Sequence, residues 1–407
     1  MSKLLIKGGR RLSGVVKPSG SKNAALPIIF ATVLMNGTSV LYGVPDISDV
    51  HIAIRIIEDL GAVCTRVGNA LYINTKSLEY RKPEESYVCR IRASSYLLGS
   101  CLSRFGVAHI SAFGGCNFEN RPIDMHIAAA QSVGAVCEGD VIRASSLVGA
   151  DIVFDKISVG ATVNALLLTV SARGCSRIYG YAHEPHIHSL ISFLRTAGAV
   201  IRVTPSYIEV EGRALHGGTV SIIPDMIEAG TYLALSLATG SDIAVEGAFG
   251  EELSSFYDAV IEGGAVFSRT SGCVSVLGKL DTPCEIKTSP HPGFPTDLQP
   301  QMAPLFAVYK GGVIREGVWC SRFGYLNELS SFGVAYERTG SVAIIKPSIF
   351  HPAIASVPDL RGGAALIIAA LIADGESIIN DAHIVGRGYE NIVNKLRSVG
   401  ADINEIP

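Results

Sequence analysis

A chain of 407 residues, with 48% hydrophobic and 17% charged residues, is too long for one ordinary core and too apolar to be disordered, so two or three packed domains are expected. Its formal net charge of −3 and isoelectric point near 6.4 exclude a protein that coats nucleic acid, but a few arginines gripping a small anion need no basic protein. The longest apolar runs, such as 364–373, are too short to span a bilayer, and Met1-Ser2-Lys3 leads directly into an alternating strand pattern without a signal peptide, so a cytoplasmic location is expected.

In chain order, the polar stretch Lys17-Pro18-Ser19-Gly20-Ser21-Lys22-Asn23 opens a helix that is apolar nearly all round, 24–34. A turn and a strand at 38–42 follow, then a helix ending in Leu60-Gly61-Ala62-Val63, then a β-hairpin. This succession recurs along the chain. Further apolar helices are predicted at 94–102, 161–171, 226–238, 298–308 and 362–373, and their strands at 108–111, 176–180, 242–246, 313–316 and 377–380. The second helices end in Val133-Gly134-Ala135, Ala197-Gly198-Ala199, Gly263-Gly264-Ala265, Phe332-Gly333-Val334 and Val399-Gly400-Ala401. The glycine suits a left-handed helix C-cap. The six glycines stand 64 to 73 residues apart, a period that fits a βαβαββ unit. The expectation is an α/β fold of two similar halves, each of three such units, with the apolar helices packed inside and the sheets outside. The halves are placed at 22–224 and at 1–21 with 225–407, and the active site in the cleft between them.

The chain holds nine cysteines and no CxxC pair, which argues against a structural zinc site. Cys64, Cys89, Cys101, Cys137, Cys175 and Cys273 lie in apolar contexts and read as small buried hydrophobes in a reducing compartment. Cys116 differs. It sits in Gly114-Gly115-Cys116-Asn117-Phe118-Glu119-Asn120-Arg121-Pro122-Ile123-Asp124, where two glycines free the backbone and Arg121 follows five positions later. A guanidinium near a thiol favours the thiolate, and the same group can clamp a phosphate or carboxylate. Such a loop reads either as an active-site lid or as a surface turn with an incidental cysteine.

Other polar, glycine-marked positions fall at helix starts and repeat ends: Arg92-Ala93-Ser94, Lys156–Gly160 with Thr162, Phe294-Pro295-Thr296-Asp297, Asp359-Leu360-Arg361 and Gly386-Arg387-Gly388-Tyr389-Glu390. Backbone N–H groups at helix starts favour anions. Lys22, Arg92, Arg121, Arg361 and Arg387 at such points would hold a substrate with several negative charges, although each taken singly also fits a cap or a solvated charge. His183-Glu184-Pro185-His186-Ile187-His188 reads as a turn and helix start, with Pro185 at the first helical position, in preference to a metal site.

Together and in order, Ser19-Gly20-Ser21-Lys22-Asn23-Ala24, Gly114-Gly115-Cys116, Arg121-Pro122-Ile123-Asp124-Met125-His126, Ser158-Val159-Gly160-Ala161-Thr162, Phe294-Pro295-Thr296-Asp297, Asp359-Leu360-Arg361 and Arg387-Gly388-Tyr389-Glu390 carry a resemblance. Over essentially its whole length the chain resembles the enolpyruvyl transferases that act on UDP-N-acetylglucosamine, relatives of 5-enolpyruvylshikimate-3-phosphate synthase. The cysteine-bearing loop belongs to the amino-sugar branch. The resemblance implies a two-domain inside-out α/β barrel. It also implies transfer of the enolpyruvyl group of phosphoenolpyruvate to the 3-hydroxyl of UDP-N-acetylglucosamine with loss of phosphate, the first committed step of peptidoglycan synthesis. By motif, Cys116 would be the general acid, Asp297 the base near the sugar hydroxyl, and Lys22 a third catalytic group. Lys22, Arg92, Arg121, Arg361 and Arg387 would hold phosphoenolpyruvate. Asn23, Arg92, Arg121, Pro122, Asp124, His126, Lys156, Ser158, Gly160, Asp297 and Val318 would hold the nucleotide sugar. The resemblance implies no metal or organic cofactor, and it implies fosfomycin as a covalent inhibitor at Cys116. Departures lie at the acceptor end: His186 and His188 where an acidic residue is common, Met226 where an arginine is common, and Cys320-Ser321 in place of a Glu-Asn pair before Arg322. They keep open another uridine nucleotide as acceptor, or a non-catalytic nucleotide-sugar-binding paralogue. Retention of Lys22, Cys116, Asp297 and Arg387 speaks against the latter.

Overall fold

The computed structural model describes residues 2–110, 114, 122–247, 249–270 and 272–407. The chain divides into two compact units. One comprises 20–110, 114 and 122–223, and the other comprises 2–19 with 224–407. Each has its own continuous hydrophobic core.

In the 20–223 unit the inner helices are α1 (Lys22–Ala31), α2 (Leu97–Phe105) and α3 (Val159–Thr169). In the other they are α4 (Met226–Thr239), α5 (Gln299–Val308) and α6 (Leu360–Ile372), which touch one another. Apart from α2, whose last turn carries the partly exposed Ser103 and Arg104, these helices lack a polar face. Residues 24–31 of α1, 227–238 of α4 and 360–371 of α6 are all buried. Helices apolar all round must be enclosed on all sides, and the sheets enclose them. Close approach selects small residues. A Cβ on Gly99 of α2 would lie 2.7 Å from Asn164 Oδ1 and 2.9 Å from Leu167 Cβ of α3.

The sheets show the repeat. Cys284–Lys287 runs parallel to Gly312–Arg315 across α5, and the hairpin Tyr336–Thr339/Val342–Ile345 returns antiparallel beside it. Asp151–Val153, Cys175–Tyr179, Val200–Val203 and Tyr207–Glu211 repeat that order around α3. Some units borrow a strand from far away in sequence. Ser13–Val16 pairs with Asp242–Glu246, Lys3–Lys7 lies between Glu376–Asn380 and Asp402–Ile406, and Thr219–Ser221 pairs with Thr38–Tyr42. The sheet of Val107–His109, Val141–Arg143 and Val136–Glu138 has three strands among the described residues, so this repeat departs from the expected βαβαββ pattern. Before it in sequence stands the short helix Glu85–Val88. The segment Arg81-Lys82-Pro83-Glu84-Glu85 is charged and contains a proline without an N–H for a ladder, which disfavours a strand there.

The recurring glycines close their helices as expected. Gly61, Gly134, Gly198, Gly264, Gly333 and Gly400 all have φ between 93° and 112°. Gly61 N–H donates to Glu58 O at 2.8 Å and Ala62 N–H to Ile57 O at 3.1 Å, and the same pair of bonds recurs at the other five turns. This is the Schellman pattern, which satisfies the last carbonyls of a helix.

The reading of six cysteines as buried is corrected. Of those six, Cys101 is buried, Cys64, Cys137 and Cys273 are partly exposed, and Cys89 and Cys175 are exposed. Most sit on strands whose outer face meets water, where alternation, not hydrophobicity, sets burial. The described cysteines are free thiols.

Candidate active site

In the 20–223 unit, α1 starts with Lys22, whose Nζ lies 3.3 Å from Asp49 Oδ2. The Asp49 side chain is nearly buried, so it anchors the ammonium while Lys22 and its neighbour Asn23 keep partial exposure. Arg92 opens the 3₁₀ turn Arg92–Tyr96 and its Nη2 donates to Pro122 O at 3.3 Å. Burial pulls the Arg92 pKa down, with Tyr96 opposing.

His126 is buried in the helix Asp124–Ser132. Its Nδ1 lies 2.7 Å from Asn164 Nδ2, and Asn164 Oδ1 accepts from Gly99 N–H at 2.7 Å. The amide orientation assigned by Gly99 makes Nδ1 an acceptor, so the ring is neutral and its proton sits on Nε2. Burial first, then the positive charge of Arg92, lower its pKa to about 4, against the pull of Asp124. A Cβ on Gly160 would lie 2.9 Å from His126 Cε1, so the start of α3 rests on the imidazole. Ser158 caps that helix by accepting from Ala161 N–H at 3.3 Å. Arg92, Pro122, His126, Ser158 and Gly160 thus meet, through Arg92–Pro122 on one side and His126–Gly160 on the other. Asp124 and Lys156 are exposed.

Cys116 and Arg121, with Gly115 and residues 117–120, lie outside the described residues. Gly114 N–H donates to Val88 O at 3.3 Å, and a Cβ there would fall 1.8 Å from Cys89 O. That position therefore admits glycine alone.

In the other unit, Asp297 is the centre. Its Oδ1 accepts from Arg322 Nη1 at 2.8 Å, and its Oδ2 accepts from Arg361 Nε at 3.3 Å and Nη2 at 3.1 Å. The arginine side chains are 5% and 1% exposed and that of Asp297 29%, so two enclosed cations hold one reachable carboxylate. Burial alone would pull both guanidinium pKa values down. Asp297 and Asp359 reverse this for Arg322, and Tyr389, Asp297 and Asp225 do so for Arg361. Arg361 lies over the Tyr389 ring at 5.1 Å. Gln301 Nε2 donates to Tyr389 Oη and Thr231 Oγ1, both at 3.0 Å. Asp359 caps α6, accepting from Arg361 N–H and Gly362 N–H at 2.9 and 3.1 Å, and so fixes the backbone that carries Arg361. Val318 lies on a half-exposed turn, and Arg387 ends the 3₁₀ segment Ala382–Arg387.

Sequence reasoning missed Arg322 as a partner of Asp297, and missed Glu316, Gln301 and Thr231 altogether. Their signal lies in contacts that span 20 to 158 residues, which no local pattern carries. Pro185 is the first residue of the helix Pro185–Thr196, as expected. Of the acceptor-end departures, His186 is buried, and His188 and Cys320 are exposed. Among the described residues no group of three or more His, Cys, Asp or Glu is arranged to hold a metal ion, and no helix is long and apolar enough to cross a membrane.

The family model described as EPSP synthase (3-phosphoshikimate 1-carboxyvinyltransferase) matches residues 6–396. A UDP-N-acetylglucosamine 1-carboxyvinyltransferase of Halothermothrix orenii is 39% identical, with 100% of each chain covered. UDP-N-acetylglucosamine 1-carboxyvinyltransferase 1 of Streptococcus agalactiae is 38% identical, with 99% of each covered. Among solved structures, the enolpyruvyl transferase NikO from Streptomyces tendae superposes with a TM-score of 0.89 at 26% identity, covering 100% of this chain and 99% of that one. EPSP synthase from Acinetobacter baumannii, at 15% identity and TM-score 0.74 over both whole chains, shares the fold. On a family match along nearly its whole length, and on full-length relatives at 38–39% identity, the chain belongs to the EPSP synthase family of 1-carboxyvinyl (enolpyruvyl) transferases.

Proposed function

We propose that this protein transfers the enolpyruvyl group of phosphoenolpyruvate to the 3-hydroxyl of UDP-N-acetylglucosamine, releasing phosphate, as the first committed step of peptidoglycan synthesis in the cytoplasm. Full-length relatives carrying that enzyme name support the acceptor. The observation that carries the chemistry is the reachable Asp297 carboxylate, clamped by two enclosed arginines.

The reaction adds a proton to the CH2 terminus of the enol and the sugar oxygen to C2. It then eliminates phosphate from the tetrahedral adduct, returning a proton from the methyl group. It needs an acid at one end, a base at the other, and fixed positive charge for the phosphate and carboxylate. Cys116 is the acid and Asp297 the base that takes the hydroxyl proton. Arg322 and Arg361 hold the Asp297 carboxylate in one orientation, which a general base requires for transfer over hydrogen-bond distance. Lys22, anchored by Asp49, serves the phosphate together with Arg121 and Arg387. Arg92, half-buried and tied to Pro122, serves both substrates. Asn23 and Val318 contact the amino sugar. Pro122, Asp124, Lys156, Ser158 and Gly160 line the uridine diphosphate, and buried His126 supports Gly160 from below.

The test is phosphate release from phosphoenolpyruvate in the presence of UDP-N-acetylglucosamine, before and after treatment with fosfomycin. Turnover that the drug stops is expected, with Cys116→Ser inactive and unmodified by the drug. No phosphate released with this acceptor would overturn the proposal. Alkylation of Cys116→Ser by fosfomycin would remove Cys116 as the reactive thiol.

A further inference from the structure

Glu316 follows the strand Gly312–Arg315, where a charged residue at a strand end ordinarily points to water. Here it is 2% exposed. A carboxylate withdrawn from water is costly unless its oxygens are filled with donors, and every donor it takes belongs to the Asp297 neighbourhood. Oε1 accepts from Thr288 Oγ1 at 2.5 Å, from Val318 N–H at 2.9 Å and from Trp319 N–H at 3.0 Å. Oε2 accepts from Thr296 Oγ1 at 3.0 Å. Thr288 Oγ1 in turn accepts from Gly317 N–H at 2.9 Å. Three successive N–H groups of the turn 317–319 are thus tied to one carboxylate and its threonine.

The other oxygen leads to the base. Thr296 Oγ1 accepts from Arg322 Nη1 at 3.1 Å, and the same Nη1 donates to Asp297 Oδ1 at 2.8 Å. Trp319 O accepts from Arg322 N–H at 2.9 Å, so the turn and the arginine also share backbone. A single buried carboxylate therefore sets two things together: the turn that presents Val318, and the Thr296–Arg322–Asp297 chain.

We propose that Glu316 is a positioning residue for the acceptor: it holds the Val318 turn and the Asp297 carboxylate in one register, so that the nucleotide sugar and the base meet at a fixed spacing. The proposal rests on the acceptor reading given above. Glutamine at 316 keeps the shape but turns one oxygen into a donor. With the amide nitrogen toward the turn, Val318 and Trp319 N–H face another donor. With the nitrogen toward Thr296, that hydroxyl loses the acceptor for its proton while still receiving Arg322. In either orientation the register slackens.

The experiment compares wild type, Glu316→Gln, Thr288→Val and Thr288→Ser. It measures KM for each substrate, kcat, and intrinsic tryptophan emission. Trp319 is the only tryptophan in the chain, so emission reports this turn directly. Glu316→Gln is expected to raise KM for UDP-N-acetylglucosamine about tenfold or more, with a shifted emission maximum. Thr288→Val, which removes a donor to Glu316 and the acceptor of Gly317 N–H but leaves Thr296 and Arg322 in place, is expected to raise the same KM by about threefold or more and leave KM for phosphoenolpyruvate unchanged, and Thr288→Ser to restore it. Wild-type acceptor KM in both Glu316→Gln and Thr288→Val, with unchanged emission, would overturn the proposal. An equal loss of kcat with both KM values unmoved would also overturn it. Should Glu316→Gln not fold, the Thr288 pair decides. Should wild type show no turnover with this acceptor, the acceptor reading fails by itself, and emission of the variants still reports whether Glu316 holds the turn.

Discussion

His126 shows how one residue ties this structure to pH. Its imidazole is buried against Gly160 and donated to by Asn164, so the fold admits the neutral ring and resists the charged one. The pKa falls from 6.5 to about 4 in the folded protein. Between those values the unfolded chain binds more protons than the folded one, so stability rises with pH across that window. The contribution of ~3 kcal/mol is complete above pH 6.5 and is lost as pH falls toward 4. Glutamine at 126 keeps an acceptor for Asn164 but cannot titrate. Between pH 7 and pH 5, urea denaturation is expected to show wild type losing ~2 kcal/mol more than His126→Gln. Equal losses would mean that the ring is charged, or open to water, in the folded state. Asp297 makes the opposite use of burial. There the two arginine side chains are enclosed and the carboxylate they hold stays partly exposed. Lys22, Asp297, Arg361 and Arg387 were marked as site candidates because each sits in a short motif at a helix start or a repeat end. Arg322 and Glu316 were not. Each looks locally like a solvated charge, and its meaning depends on Asp297 and Thr296, which stand 20 to 25 residues earlier.

At the scale of elements, the six glycine turns separate backbone strain from packing. Gly61 and Gly400 have nearly the same φ, 96° and 98°. A Cβ on Gly400 meets nothing within 4 Å, whereas one on Gly61 would lie 2.9 Å from Ser77 O, a backbone atom. Gly400→Ala should therefore cost the left-handed penalty alone, about 1–2 kcal/mol. Gly61→Ala should cost that plus displacement of the 77–78 backbone, and so lower the urea midpoint further. The reverse order would show that the approach to Ser77 O adds nothing to the cost at Gly61. Because the constraint is local, all six turns could be read from the sequence, and the apolar inner helices likewise. The strand 242–246 was predicted at its observed bounds. What escaped is pairing. Alternation marks a strand after Met1-Ser2-Lys3 but does not say which sheet it joins, and the charged Pro83 segment removed a strand that the repeat alone would predict. The cysteines failed for a related reason, since a strand with one wet face alternates burial whatever its composition.

At the scale of the whole molecule, the borrowed strands set an order of assembly. The 20–223 unit is one continuous stretch of chain. The other unit needs Lys3–Lys7 to pair with Glu376–Asn380 and Asp402–Ile406, nearly the full length of the protein away. Closing so long a loop costs entropy before any contact repays it, although the cost grows only with the logarithm of length. Folding of the 20–223 unit lowers it. Ser21 N–H donates to Ile223 O at 2.7 Å, so once that unit has formed, about 200 residues drop out of the loop and residue 19 stands next to residue 224 in effective chain distance. The prediction is directional. In pulsed hydrogen exchange during refolding, amides of Val159–Thr169 should gain protection before those of Lys3–Lys7. Leu166→Ala, a fully buried truncation worth about 2–5 kcal/mol, should delay protection of both segments. Ile6→Ala, equally buried in the borrowed strand, should delay or weaken Lys3–Lys7 alone. Simultaneous protection of the two segments in wild type, or a delay at Val159–Thr169 caused by Ile6→Ala, would show that the units fold as a single cooperative body and that the inserted unit does not template the one around it.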